Sequence, residues 1–334
     1  MGILRDNYER RKNGNILAYE TGYVPLVKES FTIITANTGD GKTKFTKHLV
    51  FNILEKYDKV KVIWFALEES KEYFIASIVS NYLMTKHNIY LSPAQCLSYV
   101  EELDEELIKL IDEAELYAEK LLERIDIVSH ITNPTGIYKY CRDYMLTIGK
   151  EITNTLGFKT GYKYNDDNEL VIVVIDHLTF VTEESGMTEW QSYKKLCKSY
   201  LSSQLKDRFK CAIILVQQQN SETDRQEFWQ GNTIVNKIKP SLSGLGEYKN
   251  SQQDATLVYG IFNPNKYGLN IYNMYDIDVL KDNYRAILVL KDRLFGENKK
   301  EYNMFFNGAT NEYSKLYPAT SKETRELYKT LNKK

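Results

Sequence analysis

The stretch that decides the fold is FTIITANTGDGKTKFTK, residues 31–47. A short apolar run, typical of a buried strand, leads into a glycine-containing loop, and Lys42 and Thr43 follow where a helix is predicted to begin. The pattern G-x-x-x-x-G-K-[ST] describes a phosphate-binding loop, and Gly41, Lys42 and Thr43 match its last three positions. Ala36 stands in the place of the first glycine. The stretch therefore predicts a nucleotide site; the alternative is an ordinary strand–turn–helix unit.

Each part of this predicted loop has a chemical role. Consecutive backbone N–H groups and the helix N-terminus form a concave cradle for anionic oxygens, and Gly39 adds backbone freedom. Lys42 is expected to reach the β- and γ-phosphates, and the Thr43 hydroxyl is expected to ligate Mg²⁺. The predicted nucleotide-binding residues are Ala36, Asn37, Thr38, Gly39, Asp40, Gly41, Lys42, Thr43 and Lys44.

Composition bounds the class of protein. The chain has 334 residues, of which 43% are apolar and 27% charged, so it can bury a sizeable core and does not resemble a disordered chain. Lysine and arginine number 44 against 45 acidic residues, which excludes a globally basic nucleic-acid coat. Any contact with DNA or RNA must therefore come from local loops, multiplied by the symmetry of an oligomer.

The four cysteines lack C-x-x-C spacing and lie far from the histidines in sequence. They are expected to be buried free thiols rather than zinc ligands. Since the sequence has neither an apolar run of about 18 residues nor a signal peptide at its start, no membrane association is expected. The predicted location is the cytoplasm, which is the host cytoplasm if the protein is viral.

The order of apolar runs predicts an α/β fold. These runs alternate with amphipathic stretches, which favours a mostly parallel twisted sheet with helices on both faces. The acidic stretch 101–125 is expected to be a solvated amphipathic helix, and residues 125–130 to be one further strand. The predicted units are a linker helix and entry loop (1–29), one large domain (30–318) and a tail (319–334). The predicted strands lie at 31–36, 61–67, 170–175, 211–216, 255–262 and 286–291.

Acidic residues follow two of the predicted strands. Asp176 ends the run LVIVVID, where a carboxylate can hold a Mg²⁺ ion that bridges phosphates; alone, it would more often be a cap or turn former. Glu68 and Glu69 end the run KVIWFALEE, and one of them could orient or deprotonate an attacking water molecule. We expect Glu68 to do so, because Glu69 is placed in the first turn of the next helix. The alternative is a pair of surface acids.

Amides and cations follow two further strands. Residues 217–220, Gln-Gln-Gln-Asn, could hydrogen-bond a γ-phosphate or its water and report the loss of that phosphate, and Gln218 is the predicted catalytic member. Lys291 and Arg293 follow the run AILVL and could stabilise charge on the nucleotide of a neighbouring subunit. A polar turn and ordinary surface cations are the alternatives.

Together these segments resemble the RecA-type ATPase domain of the hexameric, DnaB-like replicative DNA helicases. The similarity is collinear from about residue 8 to 315: FALEES resembles the catalytic-glutamate segment, VVIDHLTFV the Mg²⁺-binding strand and VQQQN the glutamine sensor strand. VLKDRLFG resembles the Lys-x-Arg finger segment, and YERRKNGN the linker helix that packs on an adjacent subunit. In the stretch 239–258 the matching residues are Lys239, Pro240, Leu242, Ser243, Leu245, Glu247, Gln253, Asp254 and Ala255.

The resemblance implies a RecA-like P-loop core that uses ATP and Mg²⁺, assembles as a homo-oligomer, most simply a hexamer, and holds single-stranded DNA in its pore. The pore loops would follow Asp176 and Gln219. A primase or a loader in trans is a further implied partner. High Tyr, Lys and Asn content without an accessory domain suits a phage or other viral replication protein. Predicted contacts to DNA phosphates are Arg225, Lys237, Lys239 and Lys249.

The sequence also departs from the family. Gly244 and Gly246 stand where acidic and basic residues are usual, which predicts a weaker or different grip on a strand. His177 replaces a common tyrosine, and Ala36 a common glycine. Fewer than 30 residues precede the core, so the family's N-terminal collar domain is not expected.

Three functions follow as hypotheses. The first is a ring-shaped helicase that unwinds duplex DNA with ATP hydrolysis. The second is a RecA-like strand-exchange or regulatory ATPase that does not unwind, against which the helicase-like stretch 239–255 argues. The third is a scaffold that binds nucleotide without useful turnover.

Overall fold

A nine-stranded mixed sheet forms the centre of the computed structural model, which describes residues 2–220, 226–229 and 232–332. The strand order is β15-β14-β13-β10-β1-β7-β6-β2-β3. Pairing is parallel from β10 through β1, β7, β6 and β2 to β3, and antiparallel at β13, β14 and β15. The sheet strands are β1 (Phe31–Ala36), β2 (Val60–Ala66), β3 (Ile125–Val128), β6 (Leu170–Asp176), β7 (Ala212–Gln218), β10 (Leu257–Phe262), β13 (Tyr284–Asp292), β14 (Glu301–Asn307) and β15 (Glu312–Lys315).

Both faces of the sheet are covered, as the continuous apolar runs predict. Successive residues of β6 alternate between two cores: Ile172 and Val174 pack into one, and Val173 and Ile175 into the other. The helices are α1 (Ile3–Lys12), α2 (Lys42–Lys56), α3 (Lys71–His87), α4 (Pro93–Cys96), α5 (Glu105–Leu122), α6 (Pro134–Ile148), α7 (Glu189–Lys194), which continues as a π-helix (Lys195–Arg208), α8 (Val235–Ile238), α9 (Ser251–Asp254), α10 (Ile277–Leu280) and α11 (Lys322–Leu331).

Helices α2, α3 and α5 contribute buried side chains to the first core, whereas α6 and the π-helix contribute to the second. The predicted amphipathic helix in the acidic stretch exists as α5, but it is less solvated than expected because Ile111, Ala114, Ala118 and Leu121 are buried. The predicted strand at 125–130 is β3, at the edge of the sheet. The mostly parallel α/β fold is therefore confirmed.

Some elements were not predicted from the sequence. Two strands, β4 (Gly149–Thr153) and β5 (Lys159–Tyr164), form an antiparallel hairpin between α6 and β6. The last predicted strand, 286–291, belongs to β13 and runs antiparallel to β10. Smaller pairs are β8 (Phe228–Trp229) with β9 (Asn232–Thr233), and β11 (Ile271–Tyr272) with β12 (Tyr275–Asp276).

The cysteines are unpaired thiols, as expected, and three of them are buried: Cys141, Cys197 and Cys211. Cys96 is only partly buried. Within the ranges described, the structure contains neither a helix long and apolar enough to span a membrane nor a group of three or more His, Cys, Asp or Glu side chains arranged for a metal ion.

Candidate functional site

The predicted phosphate loop connects the end of β1 to the start of α2, at the edge where the parallel strands end. Gly39 and Gly41 have φ angles of 83° and 97°, in the left-handed region that favours glycine. A Cβ atom at position 41 would lie 2.9 Å from the Tyr313 hydroxyl, so a side chain has no room there. The loop therefore keeps its backbone exposed toward α2, which is the arrangement a phosphate cradle needs.

The Lys42 side chain is 8% exposed and folds back over this loop. Its Nζ donates to the carbonyl oxygens of Ala36 and Asn37, each at 3.3 Å. Burial lowers the pKa of Lys42, and nearby carboxylates, Asp40 first, oppose that shift. Lys44 instead donates to the carbonyl of Gly308. Of the two lysines, only Lys42 therefore carries its ammonium inside the loop.

The sequence did not reveal the side chains that brace the loop from the antiparallel strands. Arg285 of β13 is 4% exposed and donates through Nε to the carbonyl of Asp40 at 3.1 Å. Tyr313 of β15 donates to the carbonyl of Gly41 at 3.3 Å. These bonds fix the loop backbone from a part of the chain more than 200 residues away.

The two predicted Mg²⁺ ligands meet directly. Thr43 donates from Oγ1 to Oδ1 of Asp176 at 3.0 Å. Burial, and repulsion from Glu69, raise the pKa of Asp176 to about 7. A hydroxyl and a carboxylate oxygen at this spacing fit Mg²⁺, which takes oxygen ligands from a few protein groups and completes its shell with water and phosphate.

The two acidic residues after β2 have different surroundings. Glu68 is 51% exposed, and its Oε2 lies 3.4 Å from Nε2 of His177. Glu69 is 15% exposed and pairs at 2.8 Å with Lys47, whose side chain is 2% exposed. The expected place of Glu69 in the first turn of the next helix is wrong, because α3 begins at Lys71 and Ser70 caps it through a bond from the Tyr73 N–H. Glu69 is instead held by the Lys47 ammonium.

The glutamines after β7 divide in the same way. Gln217 is fully buried, donates to the carbonyl of Gly246 and accepts from Ser251 at 2.7 Å. Gln219 donates to Thr35 at 2.9 Å and is also buried. Gln218 alone among the three faces the phosphate loop.

These groups enclose one cavity of about 330 Å³. The sequence named His177 only as a departure from the family, yet its side chain is 3% exposed and lies between Glu68 and Gln218. Burial and the Lys42 ammonium lower the pKa of His177 to about 4. The ring is therefore uncharged at neutral pH. The cavity is lined by Thr38, Gly39, Gly41, Lys42, Thr43, Lys44, Glu68, His177 and Gln218.

The predicted finger residues are not near this cavity in the same chain. Because β13 is antiparallel, Lys291 and Arg293 lie at the opposite edge of the sheet, where the Arg293 N–H bonds to the carbonyl of Thr256 before β10 begins. Burial, and then the Arg293 charge, lower the pKa of Lys291 to about 8. Arg293 donates to the carbonyl of Gln253 at 3.2 Å.

The predicted DNA contacts have unequal surroundings. Lys249 is exposed, and Lys237 is 58% exposed with an ion pair to Glu227 at 3.4 Å. Lys239 is 22% exposed, pairs with Glu301 at 3.1 Å and lies over the ring of Tyr272. Arg225 lies outside the described residues.

One of the two unusual glycines packs against the sensor strand. The Gly246 N–H donates to the carbonyl of Gln218 at 2.9 Å. A Cβ atom at position 246 would lie 3.2 Å from that same oxygen, so a larger residue would push the loop away from β7. The glycine allows the stretch after Pro240 to lie directly beside Gln218.

No protein-family model and no curated protein sequence matches this chain. Solved structures do match. A DnaB-like replicative helicase, described together with its interactions with primase, has a TM-score of 0.68 at 16% identity, covering 94% of this chain and 68% of that one. A helicase ATPase domain has a TM-score of 0.65 at 17% identity, covering 94% and 97%.

A KaiC-like protein from the hyperthermophilic archaeon Pyrococcus horikoshii has a TM-score of 0.51 at 13% identity, covering 91% of this chain and 99% of that one. At these identities the similarity establishes the fold. The chain has the RecA-like ATPase fold predicted from its sequence, and DnaB-like helicases are among the proteins that share it.

Proposed function

We propose that this protein is an ATP-dependent replicative DNA helicase, which moves along single-stranded DNA as a ring and unwinds the duplex. The observation that carries the ATPase part is the 3.0 Å contact between Thr43 and Asp176, because it combines the loop hydroxyl and the strand-end carboxylate into an oxygen site for Mg²⁺. The similarity to a DnaB-like replicative helicase supports the helicase part.

The cavity residues have separate roles in this proposal. Lys42 and the loop N–H groups bind the phosphates of ATP, and Mg²⁺ when bound neutralises charge on their oxygens. Glu68 is exposed in the cavity and orients or deprotonates the attacking water. Gln218 faces the same cavity and responds to the terminal phosphate. Glu69, Gln217 and Gln219 keep structural roles because each is bonded to other parts of the chain.

The position of Arg293 supports an oligomer. Five residues of β10 separate Thr256, beside Arg293, from Ile261, beside the start of the phosphate loop, a span of about 17 Å along the strand. Arg293 therefore cannot reach the cavity of its own subunit. In a ring of six, we propose that Arg293 and Lys291 enter the neighbour's site, and that the 1–29 segment with α1 packs on an adjacent subunit beside the 30–318 domain.

DNA would pass through the ring along the loops after Asp176 and Gln219. Lys249 and Lys237 are the exposed candidates for phosphate contacts, whereas Lys239 is occupied by Glu301. A primase or a loader that acts in trans, in the cytoplasm, completes the proposal. The tail 319–334, which contains α11, has no assigned role in it.

A regulatory RecA-like ATPase that does not unwind is the second candidate, because the fold is shared with a KaiC-like protein. The deciding experiment measures ATP hydrolysis and release of the labelled strand from a forked duplex in parallel. The helicase predicts both activities and the loss of both on Lys42→Ala, whereas ATP turnover without strand release supports the second candidate. The mass of the particle with ATP, with and without a single strand, tests the hexamer.

A further inference from the structure

His177 is the side chain that separates the predicted catalytic carboxylate from the predicted sensor amide. Its Nε2 atom lies 3.4 Å from Oε2 of Glu68 and 3.5 Å from Nε2 of Gln218. The ring is 4.7 Å from the ring of Phe180, which packs against it. One buried nitrogen therefore faces two polar groups that come from two different strand ends, and both distances are at the upper limit for a hydrogen bond.

An uncharged imidazole offers a single hydrogen or a single lone pair at Nε2. With a hydrogen there, Nε2 donates to the Glu68 carboxylate; with a lone pair, it accepts from the Gln218 amide and repels that carboxylate. The Gln218 amide can also rotate and present its oxygen, but Nε2 still has one hydrogen to give. A strong bond to Glu68 and a strong bond to Gln218 therefore exclude each other.

The other ring nitrogen does not decide between these states. In most buried histidines the hydrogen bond made by one nitrogen fixes the tautomer at the other. Here Nδ1 is buried and has no hydrogen-bond partner in the part of the chain that the structure describes. The tautomer is therefore determined at Nε2, by whichever of Glu68 and Gln218 is closer.

We propose that His177 is a positioning residue that bonds alternately to Gln218 and Glu68, and so couples the orientation of the sensor amide to that of the catalytic carboxylate. When the Gln218 amide turns toward a bound terminal phosphate, Nε2 is left to Glu68 and holds its carboxylate toward the cavity. This inference rests on the proposed function, since it assigns a role within ATP hydrolysis.

Two substitutions separate the nitrogen from the ring. His177→Phe keeps a flat ring against Phe180 but removes Nε2, whereas His177→Gln places an amide nitrogen near the Nε2 position. We expect His177→Phe to lower kcat for ATP about tenfold or more, because an unheld carboxylate is often misplaced, while KM changes little. His177→Gln should restore most of the lost kcat. His48→Phe, which removes another buried imidazole outside the cavity, is the matched control and should retain the parent kcat.

A second readout does not depend on turnover. The ¹⁵N chemical shifts of the His177 ring report its tautomer, and the loss of one signal set in His177→Gln assigns it among the four histidines. We expect a non-hydrolysable ATP analogue with Mg²⁺ to shift Nε2 toward the protonated form. Gln218→Ala should produce that shift without the analogue, and Glu68→Gln should weaken it.

The outcomes separate this inference from the proposed function. If the parent protein hydrolyses no ATP in the presence of DNA, the proposed function is wrong, and the ¹⁵N shifts alone judge the coupling. If the parent is active but His177→Phe retains its kcat, or if the Nε2 shift ignores the analogue and both neighbouring substitutions, His177 only fills space. Equal losses in His177→Phe and His177→Gln would also overturn the inference.

Discussion

Thr43 and Asp176 are 133 residues apart in the sequence, and the Thr43 hydroxyl donates to the Asp176 carboxylate at 3.0 Å. The contact connects the helix that follows β1 to the end of β6, and β7 lies between these two strands in the sheet. Two residues that the sequence marks for the same ion therefore meet although their strands are not neighbours. The carboxylate is 2% exposed and lies near Glu69, so the free protein bears the cost of a buried negative charge.

Replacing Asp176 by asparagine should separate activity from stability. The amide oxygen can still accept from Thr43, but the charge that would attract Mg²⁺ is lost. We expect Asp176→Asn to lower ATP hydrolysis about 100-fold or more, with an unchanged or higher melting temperature, since repulsion from Glu69 disappears. Steady-state turnover and calorimetry measure the two effects. Hydrolysis close to that of the parent would remove Asp176 from the proposed ion site.

Neighbouring glutamines should respond in opposite ways. Gln217→Ala leaves the carbonyl of Gly246 and the hydroxyl of Ser251 without a buried partner, which should cost about 1–3 kcal/mol of unfolding free energy. Gln218→Ala breaks only a long contact with His177, so stability should stay near that of the parent while kcat falls about tenfold or more. Urea unfolding and ATPase assays on both variants provide the comparison. Equal stability losses would contradict the division of roles.

The sequence was sufficient for the phosphate loop and for the strand ends that carry Glu68, Asp176 and Gln218, because those signals are local. Apolar runs mark buried strands, and parallel strands end at one edge of a sheet. The direction of β13 was not predictable, because an apolar run has no direction of its own. The ion pair of Glu69 with Lys47 and the bond of Arg285 to the phosphate loop depend on how distant segments pack, which periodicity does not report.

A mixture of two inactive variants should regain activity if Arg293 completes the site of a neighbour. Arg293→Ala should lower ATP hydrolysis about 1000-fold or more, and Lys42→Ala should abolish phosphate binding. In an equal mixture about a quarter of head-to-tail interfaces would combine an intact loop with an intact arginine. We expect measurable hydrolysis from the mixture and none from either variant. A mixture that stays inactive, although mass measurements show mixed rings, would contradict action between subunits.

Two lysines should differ in their effect on binding of single-stranded DNA. Lys249 is exposed, so Lys249→Ala should weaken binding and reduce the dependence of log affinity on log salt by about one. Lys239 is held by Glu301 at 3.1 Å, so Lys239→Ala should leave the salt dependence unchanged. Fluorescence anisotropy with a labelled strand between 50 and 200 mM salt, concentrations chosen to span the usual steep range, measures both. If the parent affinity does not fall over that range, phosphate contacts do not carry binding.

The two glutamates after β2 give the sharpest contrast between function and stability. Glu68→Gln removes a carboxylate that is 51% exposed in the cavity, so kcat should fall by about 100-fold or more while the affinity for an ATP analogue and the melting temperature remain. Glu69→Ala instead leaves the Lys47 ammonium, 2% exposed, without its partner at 2.8 Å. A buried pair broken in this way should cost about 3–5 kcal/mol of unfolding free energy.

The double substitution Glu69→Ala with Lys47→Met is the control for this contrast, because it removes both charges from the interior. If the cost comes from the unpaired ammonium, the double variant should recover most of the stability that Glu69→Ala loses, as buried pairs replaced by apolar groups often do. Ser77 and the ring of Phe74, which also contact Lys47, accept an apolar side chain without a new charge. If Glu68→Gln proves to be the destabilised variant and Glu69→Ala the inactive one, the roles of the two carboxylates are reversed.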